Sequence, residues 1–287
     1  DNGYTWKYQV QIDDQDAGND DTRLEIGTDM GTIGIYQSEG GISSELAHGI
    51  GALGTGFDYA SPATFQKGYD VDGYSNIQYH APSGVLPFGL GVKIGYVPDM
   101  NDTTLLSAKE DSGASGSHAT GRNLTQLQLT AAPIDGLSIG GDIAQTSNET
   151  GTTGSGGTEE GISANLGAKY TIGQVSVGYT EGGYQPALAS GATVTYENKM
   201  MGIQFDVNDA LSLSYNVDES TQKTRQTIAA GASGSTTTDV AMEQKSLQLA
   251  YTTGGATIGI AQAEVDNSDY TSGKEETQSV VSLAIAF

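Results

Sequence analysis

The chain has 287 residues, of which 12 are Lys or Arg and 35 are Asp or Glu, giving a formal charge of −23 with no cysteine. That charge repels phosphate backbones and excludes nucleic acid as a partner, while cations are expected to gather around it. Disulfides and thiolate metal sites are excluded by the missing cysteine. No apolar run approaches the ~18 residues of a spanning helix, so only strands could carry this chain across a membrane.

From the N-terminus onward the dominant pattern is alternation with period two, the signature of strands with one apolar and one polar face. Tyr4, Trp6, Tyr8, Val10 and Ile12 share one parity, with Lys7, Gln9 and Gln11 on the other. Leu24 and Ile26, Ile33 and Ile35, Ile77 and Tyr79, and Leu90 through Tyr96 continue it. Further runs centre on Leu127, Ile139, Leu166, Val177, Ile203, Leu213, Leu249, Ile258 and Leu283, which makes about 14 strands in all.

The connections alternate in length. Short ones fall near residues 29–31, 82–87, 133–136, 171–173, 208–210 and 252–255, and long ones near 13–21, 38–72, 98–121, 147–160, 180–192, 219–239 and 266–275. A transmembrane barrel has tight turns at one rim and long loops at the other, whereas a soluble sandwich has no reason to sort its loops. Aromatics agree: Tyr79, Phe88, Tyr170, Phe205, Tyr251 and Phe287 lie beside short turns or the C-terminus, and Tyr96 and Tyr179 beside long loops. All have the parity of their aliphatic neighbours, as interfacial girdles require.

Residues 22–36, TRLEIGTDMGTIGIY, then a long glycine-rich loop and GYSNIQYHAPS at 73–83, resemble the general porins of Gram-negative bacteria. The closing SVVSLAIAF, ending in Phe287, is similar to that family's C-terminal signature. The resemblance implies an all-β, transmembrane antiparallel barrel of the 16-stranded porin type, spanning 1–287 as one domain. Residues 38–72 would then be an in-folded constriction loop. Fourteen strands against the family's sixteen leave two alternatives: two N-terminal strands lie outside this sequence, or the barrel is a genuine 14-stranded one. The resemblance further implies a homotrimer in the bacterial outer membrane, in contact with lipid and lipopolysaccharide, passing small polar solutes and cations, and no enzymatic activity. A substrate-specific channel and a non-channel surface β protein are the alternatives; the latter calls for a fixed repeat, and none is visible.

Lys7 and Arg23 have inward parity just before the long loop. Related porins set a basic cluster against acids of that loop, for which Glu39, Glu45 and Asp58 are the candidates, and the transverse field would orient solutes. Lys7 and Arg23 could equally be ordinary lumen residues. Asp14, Asp16, Gly18, Asp20 and Glu25 fit positions 1, 3, 5, 7 and 12 of a calcium loop, although Asn19 stands where glycine is wanted, so calcium at Asp14, Asp16 and Asp20 competes with a merely solvated acidic loop. No other cofactor is indicated. Residues 49–54, GIGALG, match G-x-G-x-x-G but lack the strand-to-helix setting of a dinucleotide site, so the glycines are expected to serve close packing. His48, His80 and His118 form no catalytic spacing.

Overall fold

The computed structural model describes residues 3–11, 21–44, 49–57, 59–98, 100, 121–148, 158–186, 188–189, 192–226 and 237–285. Strands β1 (Thr5–Val10), β2 (Thr22–Thr28), β3 (Gly31–Gln37), β4 (Asn76–His80), β5 (Gly91–Val97), β6 (Gly121–Ile134) and β7 (Leu137–Asn148) come first. The short β8 (Thr158–Glu159) is followed by β9 (Ile162–Ile172), β10 (Val175–Gln185) and a second short strand, β11 (Leu188–Ala189). The chain closes with β12 (Ala192–Asn208), β13 (Leu211–Gln226), β14 (Thr237–Thr253), β15 (Ala256–Asp266) and β16 (Glu275–Ile285).

Fourteen of these form one antiparallel sheet in which each strand pairs with the next in sequence, while β8 and β11 pair only with each other. Every run expected from the alternation is one of the fourteen. Strands β1 and β16 are the sheet's edges, with no ladder between them among the described residues. The sheet nevertheless curls: the segment after β3 touches the inner faces of strands from β5 round to β16.

The tight turns follow from backbone chemistry. Gly136 (φ 79°) and Gly173 (φ 59°) supply the left-handed conformation that two-residue hairpins need. The connection from β4 to β5 is longer than expected, spanning 81–90, because a 3-10 turn at Pro87–Gly89 intervenes. At the other rim, the expected loops at 180–192 and 219–239 are partly taken up by strand, since β10, β13 and β14 continue well past their apolar segments. The alternation stops there but the ladder does not, because backbone pairing needs no apolar face.

Burial is the reverse of that in a water-soluble protein. Outward side chains are large and apolar, such as Ile35 (53% exposed), Leu166 (64%) and Ile203 (48%), and inward ones such as Gln126, Asn216 and Gln248 are fully buried. Burying an amide is tolerated only when it is hydrogen-bonded, and exposing so much aliphatic surface is stable only against another apolar medium. Tyr79, Phe88, Tyr96, Tyr170, Tyr179, Phe205 and Tyr251 all lie exposed on this surface. No helix is long and apolar enough to cross a membrane, a statement that does not bear on strands.

Candidate functional site

The connection between β3 and β4, residues 38–75, provides the site. It turns inward through Gly40 (φ 84°), where a Cβ would press on the Tyr36 ring and the Gln78 amide. The first arm is pinned by two carboxylates. Asp70 accepts the backbone N–H groups of Ile42 and Ser43 (both 3.0 Å), and Asp142 on β7 accepts that of Ser44 (2.6 Å) and the side-chain amides of Asn165 and Gln126. Burial pushes the Asp70 carboxyl above its ordinary range even though three backbone N–H groups, the third from Asp72, pull the other way.

Residues 50–56 then cross to the far wall. Backbone N–H groups of Gly51, Ala52 and Leu53 donate to Gln204, Ser214 and Gln248, on β12, β13 and β14 in turn (3.3, 2.8 and 2.9 Å). In return Asn216 donates to Ile50 O (3.0 Å), Gln248 to Gly54 O (3.0 Å) and Gln244 to Gly56 O. The glycines of 49–54 make this possible: a Cβ at Gly51 would collide with the Gly54 carbonyl, and Ile50 is fully buried against Gly202. Tyr59 reaches β16 through Ser282 (3.1 Å). The return arm is held where Asn198 donates to Gln66 O, Tyr69 N–H donates to Ser163 and Val71 N–H donates to Gln126.

From the loop outward, tyrosines of four elements pack ring against ring in a row, edge-on, stacked and tilted in turn. Ring centroids are 5.3 Å apart for Tyr69 and Tyr184, 5.7 Å for Tyr184 and Tyr196, and 5.2 Å for Tyr196 and Tyr270. Tyr270 comes from the β15–β16 loop, and burial pushes its phenol up to about 12. Tyr74, partly buried beside Tyr69, is likewise raised to about 12 by its burial.

The basic residues singled out from sequence do face inward, but each already has an acidic neighbour. Arg23 Nη1 lies 3.1 Å from Glu39, and Arg23 Nε donates to Gln9 (3.1 Å). Lys7 lies 4.0 Å from Glu25, which also accepts from the Tyr36 hydroxyl (3.0 Å). Glu39 is therefore brought to the basic pair, whereas Glu45 and Asp58 lie outside the described residues. So do Asp14, Asp16 and Asp20. Glu25, the last member of that calcium frame, sits in β2 with the partners just given. No cluster of three metal-ligating side chains occurs among the described residues. His80 packs against Tyr36, with ring centroids 6.3 Å apart, and its Nε2 lies 2.7 Å from the side-chain Oε1 of Gln78.

Sequence reasoning missed the residues that hold the loop: Asp70, Asp142, Gln126, Gln244 and Gln248. It also passed over two further inward lysines, Lys93 and Lys169. Their inward parity was readable, but parity does not say which inward residue the loop will meet.

No protein-family model matches the sequence, and no curated protein matches it either. Solved structures do resemble the fold. The anion-selective porin from Comamonas acidovorans superposes with a TM-score of 0.66 at 15% identity, over 99% of this chain and 85% of that one. A loop-deleted form of OmpT, an outer-membrane protein of Vibrio cholerae, gives 0.60 at 16% identity, over 99% and 86%. OmpF of Salmonella typhi gives 0.51 at 12% identity, over 98% and 96%. The chain has the fold of Gram-negative outer-membrane porins.

Proposed function

We propose that the protein is a passive channel of the bacterial outer membrane, a water-filled barrel through which ions and small hydrophilic solutes diffuse, assembled as a homotrimer among lipid and lipopolysaccharide. The observation that carries this reading is the course of residues 38–75, a long loop held inside a barrel with an apolar outer surface and a polar inner one. A loop that served only to close the rim would have no need of amide partners on β6, β12, β13 and β14. Held across the lumen, it narrows the passage and sets its field.

The channel prefers cations on this reading. Lys7 and Arg23 are offset by Glu25 and Glu39, so the wall that related porins keep basic is close to neutral here. Most of the 35 acidic residues fall in the long connections, which makes that mouth negative. One fold neighbour is described as anion-selective, and at 15% identity its charges are its own.

Purified protein added to a planar bilayer should give discrete conductance steps, and a potassium chloride gradient should give a reversal potential of cationic sign that weakens in strong salt. Absence of steps from a heat-modifiable, folded sample would reject the channel. An anionic reversal potential would reject the selectivity.

A further inference from the structure

Between the loop's first arm at Ser44 and Gly49 and the wall of β6, β7 and β9 lies a cavity of about 410 Å³, on the side of the short turns. Its polar lining is Ser44, Gln128, Thr130, Ser138, Thr180 and Lys169. Glycine makes the room: Gly140 and Gly167 also line it, and a Cβ at Gly167 would collide with Thr180 Oγ1. That hydroxyl is buried and has no hydrogen-bond partner among the described residues. A buried polar atom left in this state is costly, and it marks a place where a ligand oxygen would complete the site.

Lys169 supplies charge. Its ammonium donates to Gly49 O (2.7 Å), which leaves two of its three donors, and no carboxylate lies within 4.0 Å of it among the described residues. Asp206 acts on it only from farther off, with its own carboxylate bonded to Gln204 (2.9 Å) and Ser212 (2.7 Å). Lys93 stands in register with Gln128 at the cavity's edge and is likewise without an ion pair among the described residues. Lys7 and Arg23, by contrast, are spoken for. The inward cations with unspent charge thus gather at a recess whose lining, among the described residues, is rich in hydroxyls and holds no carboxylate.

We propose that this recess is a binding subsite for a small oxyanion, a carboxylate or phosphate group held by Lys169 and oriented by the hydroxyls of Thr130, Ser138 and Thr180. It rests on the channel reading only in that solutes reach it through the lumen. A negative mouth turns anions away from the long-loop side, so the subsite fills from the rim of short turns. Such a site would make the channel selective among solutes while its bulk current remains cationic.

Inorganic phosphate is the probe. Refolded protein in detergent, titrated by phosphorus NMR, should show saturable binding. Lys169→Met should weaken it about tenfold or more, the loss expected for a charge-assisted contact, with Lys169→Arg retaining most of it. Thr180→Val, equal in shape, should weaken it by a smaller factor. In bilayers, phosphate should block when added on the short-turn side and not on the other. No saturable binding to the wild-type protein, or equal binding to the folded Lys169→Met variant, overturns the subsite. Binding that depends on Lys169 in a protein that forms no channels would leave the subsite standing and remove the channel instead.

Discussion

From β6 round to β14 the inner wall meets the loop mainly through uncharged groups, the amides of Gln126, Asn198, Gln204, Asn216, Gln244 and Gln248 and the hydroxyls of Ser163 and Ser214. On β1 and β2 the same wall carries Lys7, Arg23 and Glu25, and the Lys7 side chain is 54% exposed. An amide both donates and accepts, so it satisfies a loop backbone that has lost its water without the desolvation penalty of an ion. Charges are kept where water still reaches them. The buried exceptions are Asp142 on β7, which accepts three hydrogen bonds, and Asp218 on β13, which packs against Gly56 of the loop; the loop's own Asp70, half-buried, also accepts three.

The outer face should break most easily. Ile139→Arg or Ile203→Arg puts a charge on the apolar surface and should cost about 2–4 kcal/mol near the midplane, read as a loss of the heat-modifiable folded band. The inner face should not respond uniformly. Gln128→Arg, beside the open recess, should fold normally. Gln204→Arg removes the acceptor for Gly51 N–H and crowds the loop, so its current should be altered although inward parity alone would have it tolerated.

Displacing the loop should come next in effect. In Gly202→Leu the new side chain occupies the space of Ile50 and Asn216, and single-channel conductance should rise, as it should on deletion of part of 41–71. Unchanged conductance in both would mean that the amide-lined arc does not bound the passage.

The charged arc should give a smaller signal. Arg23→Ala leaves Glu39 without its partner and should shift the reversal potential further towards cation preference at 0.1 M salt, where the Debye length is about 10 Å, and little at 1 M, where it is about 3 Å. Lys7→Ala, at a longer and more exposed pairing, should shift it less.

The smallest effect expected is at Asp70. Because its folded pKa is raised, the stability it contributes is fully present below the ordinary carboxylate range and is lost as pH rises through the raised value. Thermal melting of Asp70→Asn and wild type, followed from pH 3 to 8, should therefore show a wild-type curve that falls relative to the variant as pH rises. A wild-type gain over that range would mean that the three backbone N–H groups outweigh burial.

The sequence by itself determined the strands, their order and which face of each is the apolar outer one, because alternation is a local property and a strand's two faces are set by parity alone. Trp6, Ile35 and Ile203 could be assigned outward without coordinates. Only the tertiary structure decided what the inward residues do. Gln128 and Gln204 share the same parity, yet one borders an open recess and the other holds Gly51, a difference that arises from the path of a loop far away in sequence. Likewise Lys7 and Arg23 looked like the controlling charges until register set Glu25 beside Lys7 and the loop brought Glu39 to Arg23, while Lys169, one inward lysine among several in the sequence, was left with its charge unspent.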